Sequence, residues 1–240
     1  MVSVAGSRAA IPRVHSRRMP DSGDPPATPL TRIVLTGGPG GGKTVIAEAL
    51  ADAPHLEAWR QEVGGLMLVP EAATQVYAAH RTRWDRLDLT WRRAIQREIY
   101  HFQRTQEDRL AALAYERGCH LLLLDRGTID GSAYWPDGPA DYWRSLGVPV
   151  ADELLRYDAV LLLESAAALG SHLYDGEASN AVRFEDAQGA LASGRLLETL
   201  WGGHPRVVRI PAVESLEEKI RAVADAIAGV CRAGAGLSTG

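Results

Sequence analysis

Residues 32–52 read RIVLTGGPGGGKTVIAEALAD, and this stretch decides the architecture. RIVLTG (32–37) has the apolar, β-branched character of a buried strand, and KTVIAEALAD (43–52) reads as a helix. Between them Gly37-Gly38-Pro39-Gly40-Gly41-Gly42-Lys43-Thr44 satisfies G-x-x-x-x-G-K-[ST] without deviation, directly after a strand and directly before a helix. The glycines let backbone N–H groups turn inward around a β-phosphate, and the helix N-terminus adds partial positive charge. Lys43 is expected to bridge the β- and γ-phosphates and the Thr44 hydroxyl to ligate Mg²⁺, with Gly37 through Val45 forming the nucleotide-binding stretch. A glycine-rich turn that binds nothing would have to meet the glycine, lysine, threonine and context requirements by coincidence. The chain is therefore read as binding a nucleoside triphosphate.

Outward from this loop, short apolar runs alternate with helical periods. LMLVP (66–70), HLLLLD (120–125), AVLLLE (159–164) and RVVRIP (206–211) read as four more strands. Continuous apolar character marks strands covered on both faces by crossover helices. A helical stripe runs from Trp91 through Ile95, Ile99, Phe102, Gln106, Leu110 and Leu113, with Arg, Glu and Asp opposite. Ser215 and Glu218 form a capping-box pattern opening a last helix striped by Ile220, Val223, Ile227 and Val230. Strands separated by helices imply a doubly wound parallel α/β sheet, one domain over about residues 31–232. Residues 1–30 hold several prolines, serines and arginines without an apolar core. They read as a disordered leader or a mis-called start rather than a secretory signal, although the early arginines weakly imitate a transit peptide. Residues 233–240 read as a frayed tail.

The 240 residues are 46% hydrophobic and 23% charged, which suits one sizeable core and excludes wholesale disorder. A net charge of -4 argues against nucleic acid as a partner. No apolar run is long enough to span a bilayer. Two cysteines, Cys119 and Cys231, make neither a disulfide scaffold nor a four-cysteine zinc site, so a cytoplasmic location is expected. All but two of the 26 basic residues are arginine, the pattern of a GC-rich genome, so arginine abundance alone is not a functional signal. One of the two lysines, Lys43, stands where a phosphate site needs it.

Ligands of parallel sheets gather at the carboxyl ends of the strands. Glu71, after Val69-Pro70, is thus expected to face the γ-phosphate, where a carboxylate can take the proton of an attacking hydroxyl or hold it in line. It can equally be a helix N-terminal glutamate favoured by the macrodipole. The third strand ends in Asp125-Arg126-Gly127-Thr128-Ile129-Asp130. Asp125 is the expected Mg²⁺ carboxylate, directly or through water. Arg126 is expected to point to the acceptor or to the phosphate in flight, and Asp130 to be a helix-start or structural acid.

GTPases that select guanine carry Asn-Lys-x-Asp, but the only asparagine here is Asn180, within SNAV. Motor-type ATPases follow the metal-site aspartate with glutamate, whereas Asp125 precedes Arg126. No small helical domain is expected after the sheet. Transfer to an acceptor is therefore favoured over a hydrolytic machine. The order GGPGGGKT, VPEAA, LLLLDRGTIDGSAY and a strand ending in Glu164 resembles the P-loop small-molecule kinase group. Within it, the similarity is to the AAA-type ATP-binding domain that includes the ribosylnicotinamide kinase domain of bacterial NAD regulators. Thymidylate and deoxynucleoside kinases are more distantly similar. The resemblance covers most of 32–230. It implies a P-loop NTPase fold with sheet order 2-3-1-4-5, a lid after the fourth strand, and adenine held near Pro211–Glu214. Gly127 stands where thymidylate kinases have an aromatic residue, which argues against a thymidine acceptor.

The lid implied by the resemblance falls on the polar, glycine-rich residues 170–195, with Arg183 or Arg195 stabilising charge on the transferring phosphoryl or simply solvated; Arg183 is the preferred choice. Residues 79–118, with Trp84, Trp91, Tyr100 and Phe102, sit where such kinases insert a helical acceptor cap, although an aromatic stripe at this spacing is ordinarily core packing. The leading reading is an ATP- and Mg²⁺-dependent kinase acting on a hydroxyl of a small, possibly nucleoside-like molecule. The alternatives are a nucleotide-binding regulatory switch, on ATP or GTP, and a slow NTPase. The acceptor's identity and the choice between monomer and homodimer stay open.

Overall fold

The computed structural model describes residues 29–169 and 187–236. Five strands, β1 (Thr31–Thr36), β2 (Leu66–Val69), β3 (Leu121–Asp125), β4 (Ala159–Leu163) and β5 (Val207–Ile210), form one sheet. All neighbours are parallel and the order is β2-β3-β1-β4-β5, as the resemblance implied. The described helices are α1 (Lys43–Asp52), α2 (Glu57–Glu62), α3 (Ala72–Ala79), α4 (Leu89–Glu116), α5 (Pro139–Leu146), α6 (Val150–Leu154), α7 (Ala187–Trp201) and α8 (Leu216–Gly236). A 3-10 turn spans Thr128–Tyr134. This is the P-loop NTPase α/β fold.

The central strands are mostly apolar because both faces are covered. Ile33, Leu35, Leu121, Leu123, Leu161 and Leu163 alternate onto one face, packed with Ile46 and Leu50 of α1 and Val223 and Ile227 of α8. Val34, Leu122, Leu124 and Val160 face the other way, against Ala111 of α4 and Trp201 of α7. Each such side chain, fully buried, contributes about 1.5–3 kcal/mol. β1 is the central strand, with Leu35 level with Asp125 of β3 and Thr36 level with Leu162 of β4. The loop after β1 therefore opens at the switch point of the sheet, between the ends of β3 and β4.

Helix α4 departs from the expected stripe. Its buried residues are Ile95, Gln96, Ile99, Tyr100, Gln103, Glu107, Ala111 and Ala114, whereas Trp91 and Phe102 are exposed. The inward face is partly polar because its glutamine and glutamate find buried partners, so counting apolar residues aims the helix wrongly. Its first half packs through Ile95 and Ile99 on Ala72, Val76 and Tyr77 of α3. Its second half lies on the sheet through Ala111. Residues 79–118 are thus mostly one crossover helix, and part of the expected lid, from Ala187 on, is the start of α7. Among the described residues no helix is long and apolar enough to cross a membrane. The expected leader through residue 28, lid residues 170–186 with Arg183, and the tail from residue 237 lie outside the described residues.

Candidate active site

The loop between β1 and α1 is shaped by its glycines and gripped by β4. Gly37, Gly40 and Gly42 have φ of 131°, 73° and 80°, values that side chains other than glycine rarely adopt. A Cβ on Gly37 would lie 2.2 Å from the Leu163 carbonyl oxygen. Ser165 Oγ donates to the Pro39 carbonyl at 2.7 Å and Ala166 N to that of Gly40 at 3.2 Å. Helix α1 begins with no side-chain cap and no acidic residue in its first turn, which leaves its leading N–H groups to an anion. Lys43 is buried, its Nζ donating to the carbonyls of Gly37 at 2.8 Å and Gly38 at 2.9 Å. The one strong cation of the loop is thus stored inside its own curve.

Thr44 Oγ1 donates to Asp125 Oδ2 at 2.6 Å, which joins the loop to the end of β3. The other oxygen, Asp125 Oδ1, is buried with no hydrogen-bond partner. Burial, and then the neighbouring charge of Glu71, push the Asp125 carboxyl above its ordinary range, against the pull of Thr44, Lys43 and Arg126. A hydroxyl beside a carboxylate with one unsatisfied oxygen fits a hard divalent cation that takes its remaining ligands from phosphate and water. Among the described residues no group of three or more His, Cys, Asp and Glu gathers that could hold a metal ion.

Glu71 and Arg126 meet beside this pair. Arg126 Nε donates to Glu71 Oε1 at 2.6 Å, and Nη1 to Asp130 Oδ1 at 3.2 Å. Its guanidinium also lies 5.7 Å from the Tyr134 ring centroid. Glu71 Oε2 accepts from Thr74 Oγ1 at 2.7 Å. Burial would raise the Glu71 carboxyl, but Arg126, Thr74 and Lys43 outweigh it and bring it down to about 2. Glu71 is therefore ionised at any working pH. Arg126 has φ of 76°, a left-handed conformation that costs a non-glycine residue on the order of 1–3 kcal/mol. The strained turn is fixed from outside. Gln103 Nε2 donates to the Arg126 carbonyl at 3.0 Å, Thr128 N to Tyr157 Oη at 2.9 Å, and Thr128 Oγ1 to Glu153 Oε2 at 2.8 Å.

Asp130 is a structural acid. Its Oδ1 accepts from Thr36 Oγ1 at 2.7 Å and from Arg126, and its Oδ2 from Gly127 N at 3.3 Å and Trp201 Nε1 at 3.0 Å. Gly127 is small for a packing reason, because a Cβ there would lie 2.7 Å from the Trp201 ring. Arg195, on α7, is exposed and lines a cavity of about 190 Å³ beside Gly37 and Glu164. Glu164 closes the far edge, with Ala212 N donating to its Oε2 at 3.1 Å and Lys219 Nζ to its carbonyl at 2.5 Å. Burial brings the Lys219 ammonium down to about 8. The structure thus brings Lys43, Thr44, Glu71, Asp125 and Arg126 together. Sequence reading missed Ser165, Gln103 and Trp201; Ser165, at the strand end after Glu164, had a positional signal, while the other two had none.

The fold can now be set beside known proteins. A NadR protein solved in complex with NR has a TM-score of 0.53 at 13% identity, covering 84% of this chain and 51% of that one. A NadR protein solved in complex with NAD and AMP-PNP has a TM-score of 0.49 at 15% identity, covering 82% and 49%. This chain thus spans about half the length of those chains, and at such identities the likeness is one of fold. No curated protein sequence matches it. The sequence profile of the AAA domain family AAA_28 matches residues 32–219, most of the chain. The chain belongs to this AAA domain family.

Proposed function

We propose that the protein is an ATP-dependent, Mg²⁺-requiring phosphotransferase that moves the γ-phosphoryl group to a hydroxyl of a small molecule. The observation that carries this reading is the Glu71–Arg126 pair at 2.6 Å, set beside the Thr44–Asp125 pair and close enough to Lys43 for that charge to act on Glu71. An ionised carboxylate and an arginine at that place are groups that a phosphoryl transfer can use to orient a hydroxyl and to neutralise charge.

Lys43 would leave the carbonyls of Gly37 and Gly38 for the β- and γ-phosphate oxygens, while the loop N–H groups hold the β-phosphate. Thr44 and Asp125 would hold Mg²⁺, which would supply charge that neutralises the phosphates. The loop Pro211–Glu214, tied to Glu164, would border the adenine. Glu71 would accept the hydrogen bond of the acceptor hydroxyl and hold its oxygen in line, and Arg126 would donate to the γ-phosphoryl oxygens. The acceptor O–P bond forms as the bond from the γ-phosphorus to the β–γ bridging oxygen breaks, the hydroxyl proton passes by way of the transferred phosphoryl oxygens to solvent, and ADP leaves. Because phosphoryl transfer needs little proton removal before the phosphorus moves, a weakly basic Glu71 is sufficient as an orienting group. A share for Arg183 in neutralising that charge rests on the sequence alone.

The test is a library of hydroxyl-bearing small molecules incubated with γ-labelled ATP and Mg²⁺, with Lys43→Ala as control. Label on an organic acceptor with wild type alone supports the transferase. Tight Mg·ATP binding with no labelled acceptor anywhere in the library overturns it in favour of a nucleotide switch.

A further inference from the structure

Asp130 has four hydrogen-bond donors, and only two come from its own turn. Thr36, the last residue of β1 before the phosphate loop, holds Oδ1 together with Arg126; Gly127 N and the indole of Trp201 hold Oδ2. Trp201 is fully buried and is the last residue of α7. Gly127 leaves the space its ring occupies, and Tyr157, which holds Thr128 N, packs on that ring at 5.5 Å between centroids. The other end of α7 rests on the phosphate loop, since a Cβ on Gly38 would lie 2.4 Å from the Ala190 carbonyl oxygen and 3.1 Å from Gly194 N. At 1.5 Å per residue, these two seats lie about 10–16 Å apart along the helix.

We propose that Trp201 is a positioning residue that sets Arg126 through Asp130, so that α7 links occupancy of the phosphate loop to the aim of the acceptor-side arginine. A loop that widens around phosphate at Gly38 displaces the helix there, and a rigid helix carries part of that displacement to its far end. At that end a single N–H···O bond, from the indole to Asp130, meets the carboxylate that also holds Arg126. The left-handed backbone of Arg126 leaves its side chain dependent on such outside support.

The proposal rests on the phosphotransferase reading for its kinetic test but not for its spectroscopic one. In the full chain, Trp201→Phe keeps most of the ring and removes the donor. Turnover with an acceptor from the screen is expected to fall about tenfold while the KM for ATP stays within about twofold, the pattern of an interaction realised mainly in the transition state. In an Arg126→Ala background the same substitution should cost nothing further, because the two residues act as one unit. An equal fold loss in both backgrounds, or no loss in either, overturns the proposal. Should Trp201→Phe fail to fold, Asp130→Asn interrupts the same link from the other side and is read in the same cycle. Independently of any acceptor, the Trp201 indole ¹H–¹⁵N resonance is expected to move when Mg·AMP-PNP is added to the wild type. A stationary resonance at saturating nucleotide overturns the link, and does so even if no acceptor is ever phosphorylated.

Discussion

Arg126 donates from Nε to Glu71 Oε1 at 2.6 Å, and this pair ties the turn after β3 to the residue that opens α3. An arginine kept charged and a carboxylate brought down to about 2 stay ionised together across the working pH range. Such a pair orients and neutralises better than it moves protons. Base strength would instead reside with Asp125, whose carboxyl is raised, were that group not turned toward Thr44.

Glu71→Gln keeps the shape and removes the charge. The loss is expected to be that of a charged hydrogen bond, about 1.5–3 kcal/mol, or roughly 10- to 10²-fold in turnover at 1.36 kcal/mol per decade. Affinity for ATP should change less than about twofold. The pH profile of turnover should show no Glu71-dependent limb between about pH 5 and 8. A limb in that range that disappears in Glu71→Gln would show that Glu71 does take the proton.

The same pair makes a stability prediction whose sign is fixed. A carboxyl lowered from 4.5 to about 2 contributes stability that is fully present above about pH 4.5 and fades as the pH falls toward 2. The gap in unfolding free energy between wild type and Glu71→Gln should therefore be a few kcal/mol near neutrality and close between about pH 4.5 and 2. Urea denaturation at several pH values reads it directly, and a gap that widens in acid would contradict the pairing.

Lys43→Ala removes a donor to two loop carbonyls as well as the expected phosphate ligand. The fold should survive, with a loss of about 1–3 kcal/mol, while ATP no longer raises the melting temperature and transfer is abolished. Full phosphotransfer in this variant would mean that the loop is not the donor site.

Asp125→Asn should act through the metal. Weakening the carboxylate that sits beside Thr44 should raise the Mg²⁺ concentration for half-maximal turnover about tenfold or more, a dependence Glu71→Gln should not share. An unchanged Mg²⁺ midpoint would remove Asp125 from the metal site.

Gly127→Ala places a methyl group 2.7 Å from the rigid, buried ring of Trp201. Overpacking of this kind costs about 1–3 kcal/mol. A variant as stable as wild type in urea would show that α7 yields freely at that end.

Much of this arrangement was written locally. The phosphate loop, its flanking strand and helix, and the other four strands are contiguous patterns, and each strand stands within about a residue of its expected place. Glu71, Asp125 and Arg126 could be placed because strand ends converge at one edge of a parallel sheet. The partners of those residues could not. Trp201 lies 71 residues from the Asp130 it holds, and Gln103 lies 23 residues from the Arg126 carbonyl. Counting apolar residues aims helix α4 at Trp91 and Phe102, because its inward Glu107 is satisfied by groups the fold brings from elsewhere, Arg156 and Tyr157 among them. The reason for glycine at position 127 also emerges only once Trp201 is packed against it.

The proposed reaction transfers the γ-phosphoryl group to a hydroxyl held beside Glu71 and Arg126. ³¹P NMR of wild type with Mg·ATP and the best acceptor from the library observes the fate of that group directly. A phosphomonoester resonance should grow in step with ADP and exceed inorganic phosphate, and Lys43→Ala should show neither. Growth of inorganic phosphate alone, or bound ATP left unconsumed in the presence of every acceptor, would contradict it.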